Sequence, residues 1–439
     1  MPPAQRARTH VQEGVETRAR IRENNKEEAK TMQPEPSAQP VPNYLRPCVS
    51  LDVHKGSITA TQMDPGGRVG RTWTLPTTRA DLHALAQSIP APVPVVLEAS
   101  TAGKAVAMVL SEAGCELHMA APNKIPKPEV KTDKRDSVRL AHLYQSGSMP
   151  ECYVPPPEIE HLRLLSRNRR DLAQKVTLVK NQVRALVTRN LLDSEMKGVS
   201  KWFGVAGLRQ LVRLPLPSGD RAHLARYLEQ LELLAQQEES MQLELAHVAR
   251  DRAEVQLLMT IPGVSFYSAV GILAEIGDIH RFPDKQHLAS YAGLVPKSDN
   301  SGTRVAEHQP LKQGNSVLKA FLCTAVLAML KANQETAVTR FFREKMRTRP
   351  PMLAQVAAAR KLSGEIWKIL TYHVAYREQD ANLSERKEQR MRKIAEEPVA
   401  EVSAEALDSL ADRLSGKTDV LDRLQEEAGD TDQEVGDDG

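Results

Sequence analysis

The stretch Tyr153-Val154-Pro155-Pro156-Pro157 constrains this chain more than any other feature. Successive prolines fix φ, remove backbone donors and push the preceding residue out of the helical region, so no helix or paired strand runs through it. The patterns on its two sides differ in kind. Before it, Cys48–Val53, Thr59–Met63 and, after the Asp64-Pro65-Gly66-Gly67 turn, Val69–Leu75 read as a three-stranded meander. A helix over about Arg79–Ser88, a buried strand Val93–Leu97, a helix Gly103–Ala113, a strand Cys115–Ala120 and a helix Asp136–Gln145 follow. Hairpin strands first and β-α alternation afterwards predict a mixed sheet covered by helices.

Beyond the prolines the period changes. Leu162, Leu165, Arg169, Leu172, Val176, Val179, Val183 and Leu186 recur at spacings of three and four, and Tyr227, Leu231, Leu234, Glu238, Met241, Leu245 and Val248 repeat the pattern. Two such helices, separated by a Gly/Pro-containing segment from Gly198 to Gly219, predict an antiparallel coiled coil, internal or shared between protomers. A third, mainly helical unit begins near Val255, where Ile261-Pro262-Gly263-Val264 turns into the helix Ser265–Ile276. The expected organisation is a disordered extension over 1–46, an α/β unit over 47–152, the coiled-coil segment over 153–250, a helical unit over 251–380 and a charged, acidic tail over 381–439.

Charge points to a polyanionic partner. The whole chain carries +3, but Ile394–Gly439 holds fifteen acids against three bases, which leaves +15 on the rest. A basic body with an acidic tail suits nucleic acid, with the tail a competitor for the same surface, although both also serve solubility. Within the first long helix, Arg163, Arg167, Arg170, Lys180 and Arg184 are candidate backbone contacts, the alternative being a solvated basic face. Aromatics at 4% argue against an extended base-stacking platform. The four cysteines, Cys48, Cys115, Cys152 and Cys323, form no CxxC pair, which excludes the usual zinc spacings. The longest apolar run, Ala320–Leu330, is too short to span a bilayer, and the N-terminus lacks a signal-peptide core, so no membrane partner and a cytoplasmic location are expected.

Four acids stand out. Asp52 interrupts an apolar strand, where an uncompensated carboxylate is costly to bury. Glu98 follows the apolar strand Val93–Leu97, at the end where sheet proteins commonly carry function. Asp133 and Asp136, three apart at a helix start, share one side, although an Asp there is ordinarily a cap. Together they form the oxygen-only set a hard cation needs, in an RNase H-like core. The turn at Gly263 resembles a helix-hairpin-helix, whose backbone N–H groups hold a phosphate, and is equally readable as a plain connection. Downstream, Ser301-Gly302 lies in a polar loop that also holds Ser298, with Arg304, Lys312 and Lys319 close enough in sequence to position a phosphate. No His–Asp pair or G-x-S-x-G marks a hydrolase.

These residues add up to a resemblance. Leu51-Asp52-Val53-His54-Lys55, Leu97-Glu98-Ala99-Ser100 and Lys131-Thr132-Asp133-Lys134-Arg135-Asp136 resemble the DEDD domain of insertion-sequence family 110 transposases. Ile261-Pro262-Gly263, Ala274-Glu275-Ile276-Gly277-Asp278, Arg281-Phe282, Tyr291-Ala292-Gly293-Leu294, Ser301-Gly302 and Gly314-Asn315 are similar to that family's C-terminal domain, in the same order. The resemblance covers roughly Cys48 to Tyr376 and implies a RuvC-like domain, with Asp52, Glu98, Asp133 and Asp136 as ligands of Mg²⁺. It implies that Ser301 attacks DNA phosphate and forms a phosphoserine link. It further implies donor and target DNA as substrates, a structured noncoding guide called a bridge RNA, and a dimer or tetramer in which one protomer's serine meets another's acids. The rival expectations are a RuvC-type junction-resolving nuclease that activates water, and a non-catalytic nucleic-acid scaffold.

Overall fold

The computed structural model describes residues 43, 46–90, 93–125, 133–295, 314–418 and 420, with Asp133 and Lys134 described by backbone only. The expected disordered extension therefore lies almost wholly outside the described residues, as do Ser298, Ser301, Arg304 and Lys312. The chain divides into two compact units between Pro157 and Glu158, at the last of the three prolines.

The first unit is a six-stranded mixed sheet with order β3-β2-β1-β4-β5-β6. β1 (Cys48–Val53), β2 (Ser57–Met63) and β3 (Val69–Pro76) form the antiparallel meander; β4 (Val95–Glu98) and β5 (Leu117–Ala120) extend it in parallel from β1; β6 (Glu151–Cys152) pairs antiparallel with β5. α1 (Arg79–Ser88) and α2 (Thr101–Glu112) cover one face, where Val49, Leu51, Ile58, Ala60, Val95 and Leu97 are buried. α3 (Asp133–Gln145) covers the other, over Cys48, Met63, Val96 and Ala120. Burying each such aliphatic side chain contributes about 1.5–3 kcal/mol, enough to fix which face every strand residue takes.

The second unit joins the two long helices and the C-terminal helices in one compact unit. In α4 (Pro157–Arg189), Leu162 and Leu165 are buried in the same cluster as Leu245, Ala246 and Ala249 of α6 (Ser218–Arg250), while Val183, Leu186 and Val187 cluster with Leu224. The pairing is therefore antiparallel and internal to one chain. The two polar interruptions of the seam meet, with Arg169 Nη2 2.6 Å from Glu238 Oε1. The seam does not close along its whole length. Ala173, Val176, Leu231 and Ala235 line an open groove of about 630 Å³, because two alanines leave space that leucines fill elsewhere.

α5 (Val205–Leu211) lies between the long helices in sequence, and α7 (Ala253–Met259), α8 (Phe266–Ile276), α9 (Lys285–Tyr291), α10 (Ser316–Lys331), α11 (Ala337–Met346) and α12 (Pro351–Tyr372) complete the unit. Packing continues into the expected tail, since Met391 of α13 (Ala381–Ile394) and Ala395 are buried in that core. α14 (Ala404–Ser415) buries nothing. Among the described residues no helix is long and apolar enough to cross a membrane.

Leu172 and Val179 are each 6% exposed. Replacing both with Glu is expected to lower stability by roughly 3 kcal/mol or more, since it buries charge without partners, and to leave the assembly mass of the folded protein unchanged. Urea midpoints and light scattering check this; a folded variant with reduced mass would show that protomers share the seam.

Candidate active site

Strand alternation decides what the α3 side of the sheet presents. Cys48 faces α3 and Val49 and Leu51 face away, so Ser50 and Asp52 share the α3 side of β1. On β4, Val96 faces α3 and Leu97 faces away, so Glu98 also points to the α3 side. The parallel register pairs Leu51 with Leu97, which places Asp52 and Glu98 on neighbouring strands at the same level, their backbones about 5 Å apart. Thr59 of β2 stands opposite Asp52 on its other flank.

α3 lies on this face in one fixed direction. Its C-terminal residue Gln145 donates to Arg46 O and Asp64 O at 3.0 and 2.9 Å, beyond the start of β1 and the end of β2. Further along, Ser50 Oγ donates to Ser137 O at 2.7 Å, and Thr61 Oγ1 lies 2.7 Å from Ser137 Oγ. All three of these hydroxyl residues are fully buried. The helix N-terminus, with Asp133 and Asp136, is thereby directed to the end of the sheet that carries Asp52 and Glu98, where the positive end of the helix dipole offsets clustered carboxylates. Asp136 Oδ2 is buried and has no hydrogen-bond partner among the described residues. Asp52 Oδ2 lies 3.4 Å from His54 Nε2. Oxygen donors of this kind suit a hard divalent cation. Among the described residues no three His, Cys, Asp or Glu side chains are grouped to hold a metal ion. Asp133, three residues before Asp136, has its side chain outside that set.

A second constellation lies in the helical unit. Glu275, in the apolar helix α8, is 0% exposed. Arg167 of α4 meets it in bidentate fashion, Nε to Oε1 at 2.8 Å and Nη2 to Oε2 at 2.9 Å, and Asn315 Nδ2 donates to Oε2 at 2.7 Å. Burial alone raises the Glu275 carboxyl, but the hydrogen bonds from Arg167 and Asn315 and the nearby guanidinium charges outweigh it and hold the group below the usual carboxylate range. The last carbonyls of α8 lack helical donors and receive arginines instead. Arg163 Nε donates to Ala274 O at 2.8 Å, and Arg281 Nε to Ile276 O at 2.9 Å.

Two of the expected nucleic-acid contacts also have partners within the fold. Arg163 is 9% exposed and its guanidinium is engaged by the end of α8, and Arg167 is committed to Glu275. Lys319 is likewise engaged, donating to Gly293 O at 3.3 Å. Arg170 and Lys180 are half-buried and Arg184 is exposed, with Lys180 and Arg184 lying over the Phe203 ring at 5.3 and 5.4 Å. The turn at Gly263 favours the plain-connection reading. Its φ is +82°, and a Cβ there would stand 2.6 Å from Ala325 O of α10, so packing against α10 explains the glycine. Lys387 Nζ donates to Ile261 O and Val264 O of that turn, at 2.9 and 3.0 Å.

Glu275 was open to detection by the signal that marked Asp52, a carboxylate in an apolar run. Ser50, Thr61 and Ser137 carry no such signal, because small hydroxyl residues are common in strands and helices alike.

Comparison with known proteins places both constellations in a context. Residues 49–190 match the DEDD_Tnp_IS110 family model, described as "Transposase", and residues 255–340 match the model described as "Transposase IS116/IS110/IS902 family". A "Probable family 20 transposase" of Pseudomonas aeruginosa is 28% identical over 309 residues, covering 68% of this chain and 90% of that protein. The "Transposase for insertion sequence element IS1111A" of Coxiella burnetii is 26% identical over 279 residues, 60% of this chain and 74% of its own length. An "Insertion element IS110 uncharacterized 43.6 kDa protein" of Streptomyces coelicolor is 24% identical over 379 residues, 73% and 93% of the two chains.

Arg167→Met leaves the buried carboxylate without its guanidinium and is expected to cost about 3 kcal/mol at pH 7, the low end for such a pair because water reaches Arg167. Glu275 titrates below its unfolded value, so its contribution is present above the ordinary carboxylate range and fades as pH falls through that range. The gap between wild type and variant in urea midpoint should therefore narrow as pH falls from about 5 towards 3, below the ordinary glutamate value of 4.5. A gap that stays constant across this range would contradict the assignment.

Proposed function

The chain belongs to the IS116/IS110/IS902 transposase family, and on that premise we propose that it cleaves and rejoins DNA strands with Ser301 as nucleophile and Asp52, Glu98, Asp133 and Asp136 as the acids that hold a divalent cation, Mg²⁺. The observation that carries the acid half is the pairing of Asp52 and Glu98 on adjacent strands, on the face to which α3 brings its N-terminus. The serine half rests on the C-terminal family match, which spans residues 255–340 and so includes Ser301.

In this reading the Ser301 hydroxyl gives up its proton as its oxygen bonds to the scissile phosphorus, the bond from phosphorus to the leaving DNA oxygen breaks, and that oxygen takes up a proton to become a hydroxyl. The phosphoserine retains the phosphodiester's bond energy, so the reverse attack by a new DNA hydroxyl rejoins the strand without a nucleotide cofactor. The cation, when bound, neutralises charge developing on the phosphate. Ser50, Thr61 and Ser137 hold α3 against strands β1 and β2 beside the acids. A structured bridge RNA as guide, and assembly as a dimer or tetramer, belong to the same proposal and are supported by family membership and by the basic body, +15 outside the tail. Arg170, Lys180 and Arg184 are the described side chains proposed to contact nucleic acid, together with Arg304 and Lys312, which follow Ser301 in sequence.

A junction-resolving nuclease is the second reading, because the acid placement suits metal-activated water equally well. The two part on Ser301→Ala. Labelled element-end DNA is incubated with protein, Mg²⁺ and RNA transcribed from the flanking segment, then run on a denaturing gel with and without protease. The serine mechanism predicts a protease-sensitive slow band from wild type that is absent in Ser301→Ala, while Ser298→Ala retains it. Free DNA ends produced at normal yield by Ser301→Ala would sink the serine mechanism. For the acids, Asp52→Asn is expected to abolish cleavage and to shrink the Mg²⁺-induced rise in melting temperature. An unchanged rise would remove Asp52 from metal binding.

A further inference from the structure

Val295 and Gly314 flank residues 296–313, which include Ser301, and the described stems on both sides are built into the Glu275 constellation. On the outgoing side, Tyr291 OH donates to Glu275 O at 3.2 Å, and Lys319 Nζ donates to Gly293 O. On the returning side, Asn315 Nδ2 reaches Glu275 Oε2 at 2.7 Å and Tyr291 OH at 3.1 Å, and Asn315 N donates to Tyr291 O at 2.7 Å. The stems touch. Gly314 has φ +122°, and a Cβ there would stand 2.6 Å from Gly293 N, so no larger residue fits. Asn315 also starts α10, its Oδ1 accepting from Val317 N and Leu318 N at 3.1 and 3.0 Å. The fully buried Glu275 carboxylate thus binds the returning stem through Asn315 and the long helix α4 through Arg167, while the backbone carbonyl of Glu275 accepts from Tyr291 of the outgoing stem, which Asn315 also reaches.

From this we infer that Glu275, with Arg167 and Asn315, is a positioning device for the reactive serine, fixing the stems on either side of residues 296–313 and tying them to α4. The inference rests on the serine reading of the function. Its physical basis is that a bidentate guanidinium–carboxylate pair with an added amide donor has one good geometry, and a buried one resists relaxation because every alternative strands a charge. A nucleophile must be held within about an ångström of its productive position, so a shift at the stems reduces the rate of attack more than it reduces DNA binding.

The discriminating variant is Asn315→Asp. Aspartate is as good a helix cap as asparagine, so α10 keeps its start, while a second carboxylate now faces Glu275. Adding Glu275→Gln to it restores a donor–acceptor pair in the reverse sense. For the full-length proteins, three quantities are measured: the rate of covalent protein–DNA adduct formation at saturating element-end DNA with the flanking RNA and Mg²⁺, the DNA dissociation constant, and the melting temperature. Hydrogen exchange of peptides covering Leu288–Leu294 and Asn315–Leu322 reports the stems directly. The expected result for Asn315→Asp is faster exchange in both peptides and an adduct rate reduced about tenfold or more, with DNA affinity within about twofold and the protein still folded. The double variant should recover most of the rate. A folded Asn315→Asp that forms adduct at the wild-type rate, or a loss of rate that only tracks the folded fraction, overturns the inference and leaves the serine reading standing. Absence of a Ser301-dependent adduct from wild type overturns the serine reading itself, and this inference with it.

Discussion

Burying the Glu275 carboxylate is the step on which the helical unit depends. A lone carboxylate in a low-dielectric core is disfavoured by several kcal/mol, and the penalty is offset only when charge and hydrogen bonds arrive together. Here they come from elements far apart in sequence: Arg167 on α4, Asn315 at the start of α10, and Arg163 at the neighbouring carbonyls. Each partner is useful only if its own element is already packed, as Leu162 and Leu165 pack α4 into the common core. The carboxylate therefore selects one docking of α4 on α8 out of the several that apolar packing alone would allow. It also explains why the coiled-coil segment and the C-terminal helices form one body.

The first unit solves a related problem by the opposite route. Asp52 and Glu98 stand on neighbouring strands at one end of a face whose other end is apolar. Tyr144, Leu140 and Ala141 hold α3 over Cys48 and Met63, the hydroxyls of Ser50, Thr61 and Ser137 lock its axial position, and the helix N-terminus is directed to the end of the sheet that carries Asp52 and Glu98. Sliding α3 by one turn would leave three buried hydroxyls without partners, at about 1–3 kcal/mol each. Stability of the face and placement of the acids are thus the same interaction.

Much of this was legible from the chain itself, and the parts that were not share a cause. β1 agrees with its expected span and α1 with its own, because period-two alternation and turn residues are local signals. β6 escaped, since two residues carry no period. Asp52 and Glu98 were readable because a carboxylate beside an apolar strand is costly anywhere. Arg163 and Arg167 read as a basic surface because helical spacing does not tell which side another helix will cover; the carbonyl that Arg163 serves is 111 residues away. The seam of α4 and α6 was visible, but not its open middle, since alanines at 173 and 235 fall outside the heptad positions. Met391 was hidden in a charged stretch whose average composition is that of a solvated tail. In each case the local pattern was right and a distant partner decided the outcome.

The account turns on which atom of the protein becomes joined to DNA, and that is directly measurable. Wild-type protein stalled on element-end DNA is denatured, digested with nuclease and then with trypsin, and the peptides are read by tandem mass spectrometry. Cleavage after Lys297 and Arg304 releases Ser298–Arg304, which contains both candidate serines and is short enough to localise a modification. The account predicts a nucleotide remnant on Ser301. A remnant on Ser298, or cleaved DNA with this peptide recovered only in unmodified form, would contradict it.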